Sequence, residues 1–186
     1  MDGKPPRTGD TRVFTLEGPP LRRKDIARTI EKVVRDLPVP GPVRLRVTAD
    51  LSDPFVWMEE ERIAKAVENI AVNAIEAMPD GGELAVDVSG DEGRVVITIQ
   101  DTGTGITGEN MDQLFTPFFT TKPVGEGLGL GLPTAYAAVK AHGGTIAVES
   151  NADASSGPTG TTVRITLPRG GPVEPETTNV ILHEDD

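Results

Sequence analysis

The chain reads as a two-layer α/β sandwich, a mixed sheet covered on one face by helices, with a long lid loop. Three observations predict this. Apolar residues recur at helical spacing in some segments and alternate in others. Helical and paired-strand segments are interspersed, which sets helices against a sheet. Residues 102 to 130 contain glycines and no regular pattern, and a loop of that length inside a compact domain is usually functional.

Taken in order, residues 1–20 hold four prolines without a helical period and read as a linker or boundary segment. Ile26, Ile30, Val33, Val34 and Leu37 then share one helical face until Pro38-Val-Pro-Gly-Pro42 breaks it. Val43, Leu45 and Val47 alternate with Arg44, Arg46 and Thr48, the period of a half-exposed strand. A longer helix carries Ile63, Val67, Ile70, Ala71, Ala74 and Met78 on its buried stripe. Glu83 to Ser89 and Val95 to Asp101 read as neighbouring strands joined by a turn at Gly90-Asp-Glu-Gly93. After the lid, a helix from about Leu132 is expected to turn Ala135, Tyr136 and Val139 inward and to stop at Gly143-Gly144. Thr145 to Glu149 and Thr161 to Leu167 complete the sheet. These elements define a domain over 21–168, followed by an acidic tail over 169–186 that is expected to be disordered.

Composition narrows the function classes. At 186 residues the chain can build one domain with its own core. Cysteine is absent, which excludes disulfides and thiolate metal sites and suits a reducing, cytoplasmic setting. No apolar run approaches the roughly 20 residues of a membrane span, and Met1-Asp-Gly-Lys-Pro-Pro6 lacks a signal-peptide core. The net charge of −11 argues against a nucleic-acid surface. Part of it lies in residues 172–186, where Glu174, Glu176, Glu184, Asp185 and Asp186 stand without a Lys or Arg. An acidic protein can still bind a nucleotide locally, because a metal ion and backbone dipoles carry the positive charge.

Gly125-Glu-Gly-Leu-Gly-Leu-Gly-Leu132 places four glycines at every second position and runs into a helix. Missing side chains there let backbone N–H groups close on phosphate oxygens at a helix N-terminus. The spacing is neither the G-x-G-x-x-G of a dinucleotide turn nor a loop ending in G-K-[ST]. A flexible linker is the plain alternative, but linkers have no use for Leu128, Leu130 and Leu132 between the glycines.

Other motifs surround this loop in a fixed order. Asn73-Ala-Ile-Glu-Ala-Met-Pro-Asp-Gly-Gly82 ends a helix and Asp101-Thr-Gly-Thr-Gly-Ile106 ends a strand. Leu114-Phe-Thr-Pro-Phe-Phe-Thr-Thr-Lys122 precedes the loop, and His142-Gly-Gly144 and Gly160-Thr-Thr162 follow it. The series resembles the ATP-binding catalytic domain of sensor histidine kinases, in the superfamily shared with gyrase, heat-shock chaperone and mismatch-repair ATPases. The resemblance covers roughly residues 20 to 168 and implies the Bergerat-type fold, with ATP between the helix layer and the lid.

Roles follow from the resemblance residue by residue. Asn73 would supply its amide oxygen to the Mg²⁺ that bridges the ATP phosphates, and Asn69, one turn earlier, would lie beside it. In hydrolytic members the residue at position 69 is a glutamate that activates water; an asparagine cannot serve as a base, which favours phosphoryl transfer. Glu76 reads as a solvated or lid-contacting acid. Asp101 would accept from the adenine amine, with Gly103 and Gly105 letting the ring approach and Thr161 nearby through its hydroxyl. Gly125, Gly127, Gly129, Leu130 and Gly131 would line the triphosphate, and Lys122 would reach it as a mobile charge. Phe115, Phe118 and Phe119 pack the lid base or contact dimerisation helices. Two positions depart from the family pattern: a usual threonine is Leu128, and a frequent serine is Pro133, which suits a first helical turn.

The implied activity is ATP-dependent protein histidine kinase, with ATP and Mg²⁺ as cofactors. The acceptor histidine would belong to a dimerisation domain, in cis or in trans, and a response regulator would lie downstream. His142 reads as structural, and His183 lies three residues from the end without a helical pattern. An isolated domain of this kind is expected to be monomeric. An ATPase of the same superfamily, a nucleotide-holding scaffold and an anti-sigma-type serine kinase are the other classes compatible with these residues.

Overall fold

Asp25 opens the first helix: its carboxylate accepts from the Arg28 N–H at 3.0 Å and satisfies one of the unpaired donors of the first turn. The structure, a computed structural model, describes residues 21–123 and 127–170. Gly125, His183 and the rest of the tail lie outside the described residues.

The elements run β1 (Arg22–Asp25), α1 (Ile26–Asp36), β2 (Val43–Asp50), β3 (Phe55–Met58), α2 (Glu60–Glu76), β4 (Gly82–Gly90) and β5 (Arg94–Asp101). They continue with α3 (Gly108–Met111), α4 (Gly131–Ala141), β6 (Thr145–Asn151) and β7 (Gly160–Pro168). Five strands form one sheet in the order β2-β4-β5-β7-β6. The β2–β4 pair is parallel and the others are antiparallel, so the sheet is mixed. A parallel pair needs a long crossover, and the chain between β2 and β4 supplies one through α2.

Burial shows why this pattern folds this way. Ile63, Val67, Ile70 and Ala71 of α2 meet Val86 of β4, Ile97 and Ile99 of β5 and Ile165 of β7 in one core. Ile26, Ile30 and Val34 extend that layer along α1, and Ala135 and Val139 along α4. The opposite face is polar, with Arg46 paired to Asp87 and Arg164 to Glu149. This is the two-layer arrangement expected from the periodicities.

Four local features differ from the expectation. Tyr136 is 39% exposed rather than inward, because Ala135 and Val139 already define the narrow buried stripe of α4 and Tyr136 lies about 100° from its neighbour; its ring packs on Phe115 with centroids 5.0 Å apart. Leu45 and Val47 stay 37% and 39% exposed because β2 is the sheet edge and the helix layer does not reach across it. A two-stranded antiparallel sheet, β1 with β3, stands apart from the main sheet. Arg169 attaches it, donating from Nη1 to the carbonyls of Asp53 (2.6 Å) and Phe55 (3.1 Å). Finally, the short helix α3 interrupts the segment that carries no pattern in the sequence.

Candidate functional site

Asp101 ends β5 at the bottom of a cavity of about 700 Å³ enclosed by α2, the lid and the ends of β5 and β7. Only 7% of Asp101 is exposed. Its Oδ1 accepts from the N–H groups of Gly103 (2.9 Å) and Thr161 (3.2 Å). Among the described residues no donor serves Oδ2. Burial pushes the Asp101 pKa up, and the two backbone N–H groups oppose that shift. Oδ2 is not closed off inside the fold: it meets the cavity as a free acceptor.

The glycines after Asp101 shape this end of the cavity by close packing. A Cβ on Gly103 would stand 2.5 Å from the Ala77 carbonyl oxygen, so the turn packs on the C-terminal end of α2. Gly103 therefore lies behind the wall, while Gly105 lines the cavity. Gly105 has φ +73°, and a Cβ there would meet the Asn151 carbonyl oxygen at 2.0 Å.

Along α2, Asn69 and Asn73 both line the cavity. Asn69 donates from Nδ2 to the Gly131 carbonyl at 3.1 Å and so fixes the start of α4. The opposite end of α4 is also tied. His142, 2% exposed, has Nδ1 2.6 Å from the Ala138 carbonyl, and its Nε2 accepts from the Glu59 N–H at 2.9 Å. Because the amide must donate and the carbonyl must accept, His142 is the neutral tautomer protonated on Nδ1. The histidine is structural, as its place beside Gly143-Gly144 suggested.

Lys122 reaches back from the lid to α2. Its Nζ pairs with the Glu76 carboxylate and stands 3.5 Å from Asn73 Oδ1, making Glu76 a lid-contacting acid. At that distance the ammonium is at the edge of hydrogen-bond reach, and the Asn73 amide oxygen remains a neutral acceptor lining the cavity. Among the described residues no group of three His, Asp or Glu side chains could hold a metal. An ion at Asn73 would therefore draw most of its ligands from phosphates and water, the habit of Mg²⁺.

Gly127, Gly129, Leu130 and Gly131 line the far end of the cavity. Gly129 has φ +63°, and a Cβ there would collide with the Phe119 carbonyl oxygen at 2.4 Å. The N-terminus of α4 opens here with no side-chain cap, leaving N–H groups for an anion. Pro133 sits in that first turn and removes no needed donor.

The structure thus brings Asn69, Asn73, Asp101, Gly105, Lys122, Gly127, Gly129, Leu130, Gly131 and Thr161 around one cavity, with Gly103 behind it. Sequence reasoning missed Ser150, whose hydroxyl touches Ile106, Gly160 and Thr161 from behind. A single serine at a strand end carries no periodic signal.

Comparisons with known proteins identify the family and the fold. Residues 58–171 match the family described as histidine kinase-, DNA gyrase B-, and HSP90-like ATPase. The sensor histidine kinase ZraS of Escherichia coli K12 is 39% identical over 108 residues, which are 58% of this chain and 23% of that protein. Sporulation kinase E of Bacillus subtilis is 38% identical over 127 residues, 67% of this chain and 16% of that protein. The chain therefore spans under a quarter of the length of these curated relatives. Among solved structures, the mycobacterial sensor histidine kinase MprB superposes with a TM-score of 0.61 at 32% identity, covering 78% of this chain and 91% of that one. The catalytic domain of the histidine kinase ThkA superposes with a TM-score of 0.66 at 24% identity, covering 80% and 95%, a likeness of fold. With more than half of its residues matched to that family and a sensor histidine kinase structure covered to nine-tenths at 32% identity, the chain belongs to the histidine kinase-, DNA gyrase B- and HSP90-like ATPase family, on its sensor-histidine-kinase branch.

Proposed function

We propose that this domain binds Mg·ATP in the cavity and transfers the γ-phosphoryl group to a histidine on a dimerisation domain, in cis or in trans. The observation that carries the reading is the polarity of the cavity. Asp101 offers a bare acceptor at one end, and α4 offers uncapped N–H groups at the other. Adenine supplies the donor and the phosphates supply the anion. Between them Asn73 Oδ1 would hold Mg²⁺, which would supply charge neutralisation at the phosphates.

In this reading Lys122 leaves Glu76 and pairs with phosphate oxygens, while Gly127, Gly129 and Gly131 keep the lid backbone close to them. Asn69 is engaged with the Gly131 carbonyl and cannot activate water, which supports transfer over hydrolysis. Both nitrogens of His142 are engaged inside the fold, so the acceptor is another histidine. Its proton would pass to a base beside it on the partner. Phe118 is 74% exposed at φ +67°, and Leu128 is 76% exposed on the same lid. Strain and exposed apolar surface together support contact with the dimerisation helices. A response regulator would receive the phosphoryl group afterwards. The domain alone is expected to be monomeric and cytoplasmic; among the described residues no helix is long and apolar enough to cross a membrane.

Calorimetric titration with Mg·ATP tests the reading, with Asn73→Ala and Asp101→Ala alongside and phosphate release measured on the same samples. Saturable binding lost in both variants, negligible turnover and label transfer to a supplied dimerisation hairpin are the expected results. Sustained turnover without an acceptor would instead indicate an ATPase, and acid-stable phosphoserine on a target would indicate a serine kinase.

A further inference from the structure

Ser150 lies behind the cavity wall, and its single hydroxyl has three polar neighbours. Its Oγ is 2.9 Å from the Gly160 carbonyl oxygen, 2.8 Å from the Ile106 nitrogen and 2.9 Å from Thr161 Oγ1. A hydroxyl has one proton and two lone pairs. The carbonyl can only accept, so the Ser150 proton goes to Gly160. The amide can only donate, so the Ile106 N–H takes one lone pair. One lone pair remains for Thr161, and the Ser150–Thr161 bond must therefore use the proton of Thr161.

This allocation changes what the cavity presents. Thr161 lines the cavity and, with its proton turned back to Ser150, offers only lone pairs there. Beside it Asp101 offers Oδ2, also an acceptor, while Oδ1 receives the Thr161 N–H. The polar wall formed by these two side chains is acceptor-only.

We infer that Ser150 is a specificity-determining positioning residue, which locks the Thr161 proton away from the cavity and so selects a nucleotide base with a 6-amino group over one with a 6-oxo group. The inference rests on the cavity being a nucleotide site. A 6-amino group meets acceptors, whereas a 6-oxo group faces lone pairs with no proton to share. Once Ser150 is removed, the Thr161 hydroxyl can rotate and donate into the cavity.

The test compares Mg·ADP with Mg·IDP, which exchanges the amino group for an oxo group, by calorimetry on the full chain. The unaltered protein should prefer ADP by about a hundredfold or more, the discrimination expected where a site's own polar groups would be left unpaired. Ser150→Ala should narrow that ratio about tenfold, the value of one hydrogen bond, chiefly by improving IDP. Ser150→Thr should restore it. In a Thr161→Val background, Ser150→Ala should leave the ratio unchanged, since Ser150 acts through the hydroxyl already removed. If Ser150→Ala does not fold, Ser150→Cys keeps a similar volume with weak hydrogen bonding and gives the same readout.

An equal loss of both nucleotides on Ser150→Ala, with the ratio intact, would show a merely structural serine and overturn the inference. An effect that persists in the Thr161→Val background would also overturn it. Selective ADP binding that ignores Ser150 rejects this inference alone. Binding of neither nucleotide by the unaltered protein rejects the nucleotide reading, and this inference with it.

Discussion

The two oxygens of Asp101 have separate tasks: Oδ1 closes the fold by accepting from Gly103 and Thr161, and Oδ2 meets the cavity. Asp101→Asn should separate them. With its amide oxygen in the Oδ1 place, the asparagine keeps both structural bonds and turns a donor toward the base. We expect melting within a few degrees of the parent, about a hundredfold weaker ADP binding and a preference moved toward IDP, all readable by calorimetry. Burial also holds the Asp101 pKa above its ordinary 3.8. Protonated Oδ2 would donate where the base amine needs an acceptor. ADP affinity should therefore be full above the raised pKa and fall about tenfold per pH unit below it, and Asp101→Asn should lose that dependence. For the empty fold the sign is opposite. The folded state binds more protons than the unfolded chain between 3.8 and the raised value, so this contribution is present at low pH and lost as pH rises through that window. At the lid, Glu76 and Lys122 are each more than one-third exposed or close to it, so their pair is worth little to stability. Glu76→Gln should leave the melting temperature unchanged and, by releasing the ammonium to the phosphates, strengthen ADP binding a few-fold; Lys122→Met should weaken it.

Single elements were legible where burial followed one period. The stripe of α2 could be read because Ile63, Val67, Ile70 and Ala74 repeat over about three turns and all are buried. The alternation Val95, Ile97, Ile99 marked β5, and the order of motifs around it pointed to Asp101. Four-residue strands are too short to show a period, so β1 and β3 were invisible, Arg22-Arg-Lys-Asp25 least of all a strand by composition. Tyr136 was misplaced because three aliphatic and alanine positions already filled the buried arc of a small helix. Ser150 was missed because its bonding depends on which proton goes where, and that is set by Gly160 and Thr161 on the paired strand together with Ile106, 44 residues away. His142 shows the cost of such a node. Its replacement by Phe leaves the Glu59 N–H without its acceptor and the Ala138 carbonyl without the imidazole, both inside the fold. We expect a loss of about 2–4 kcal/mol in urea unfolding.

Across the whole molecule, the sheet separates a polar, ion-paired face from the face that carries helices, and the cavity opens between those helices and the lid. Phe118, the exposed aromatic of the lid, does not line the cavity. Phe118→Asp should therefore leave ADP affinity within about twofold while abolishing label transfer to a supplied dimerisation hairpin, because a buried unpaired carboxylate in that contact costs far more than it does in water. The tethering of α4 at both ends, by Asn69 at Gly131 and by His142 at Glu59, has a consequence for amide exchange. Protons in the middle of α4 should trade with solvent only as the core itself opens, with or without nucleotide. Those of the lid before Gly129 should slow when nucleotide binds, so that the boundary between protected and fast-exchanging amides falls at the last lid glycines.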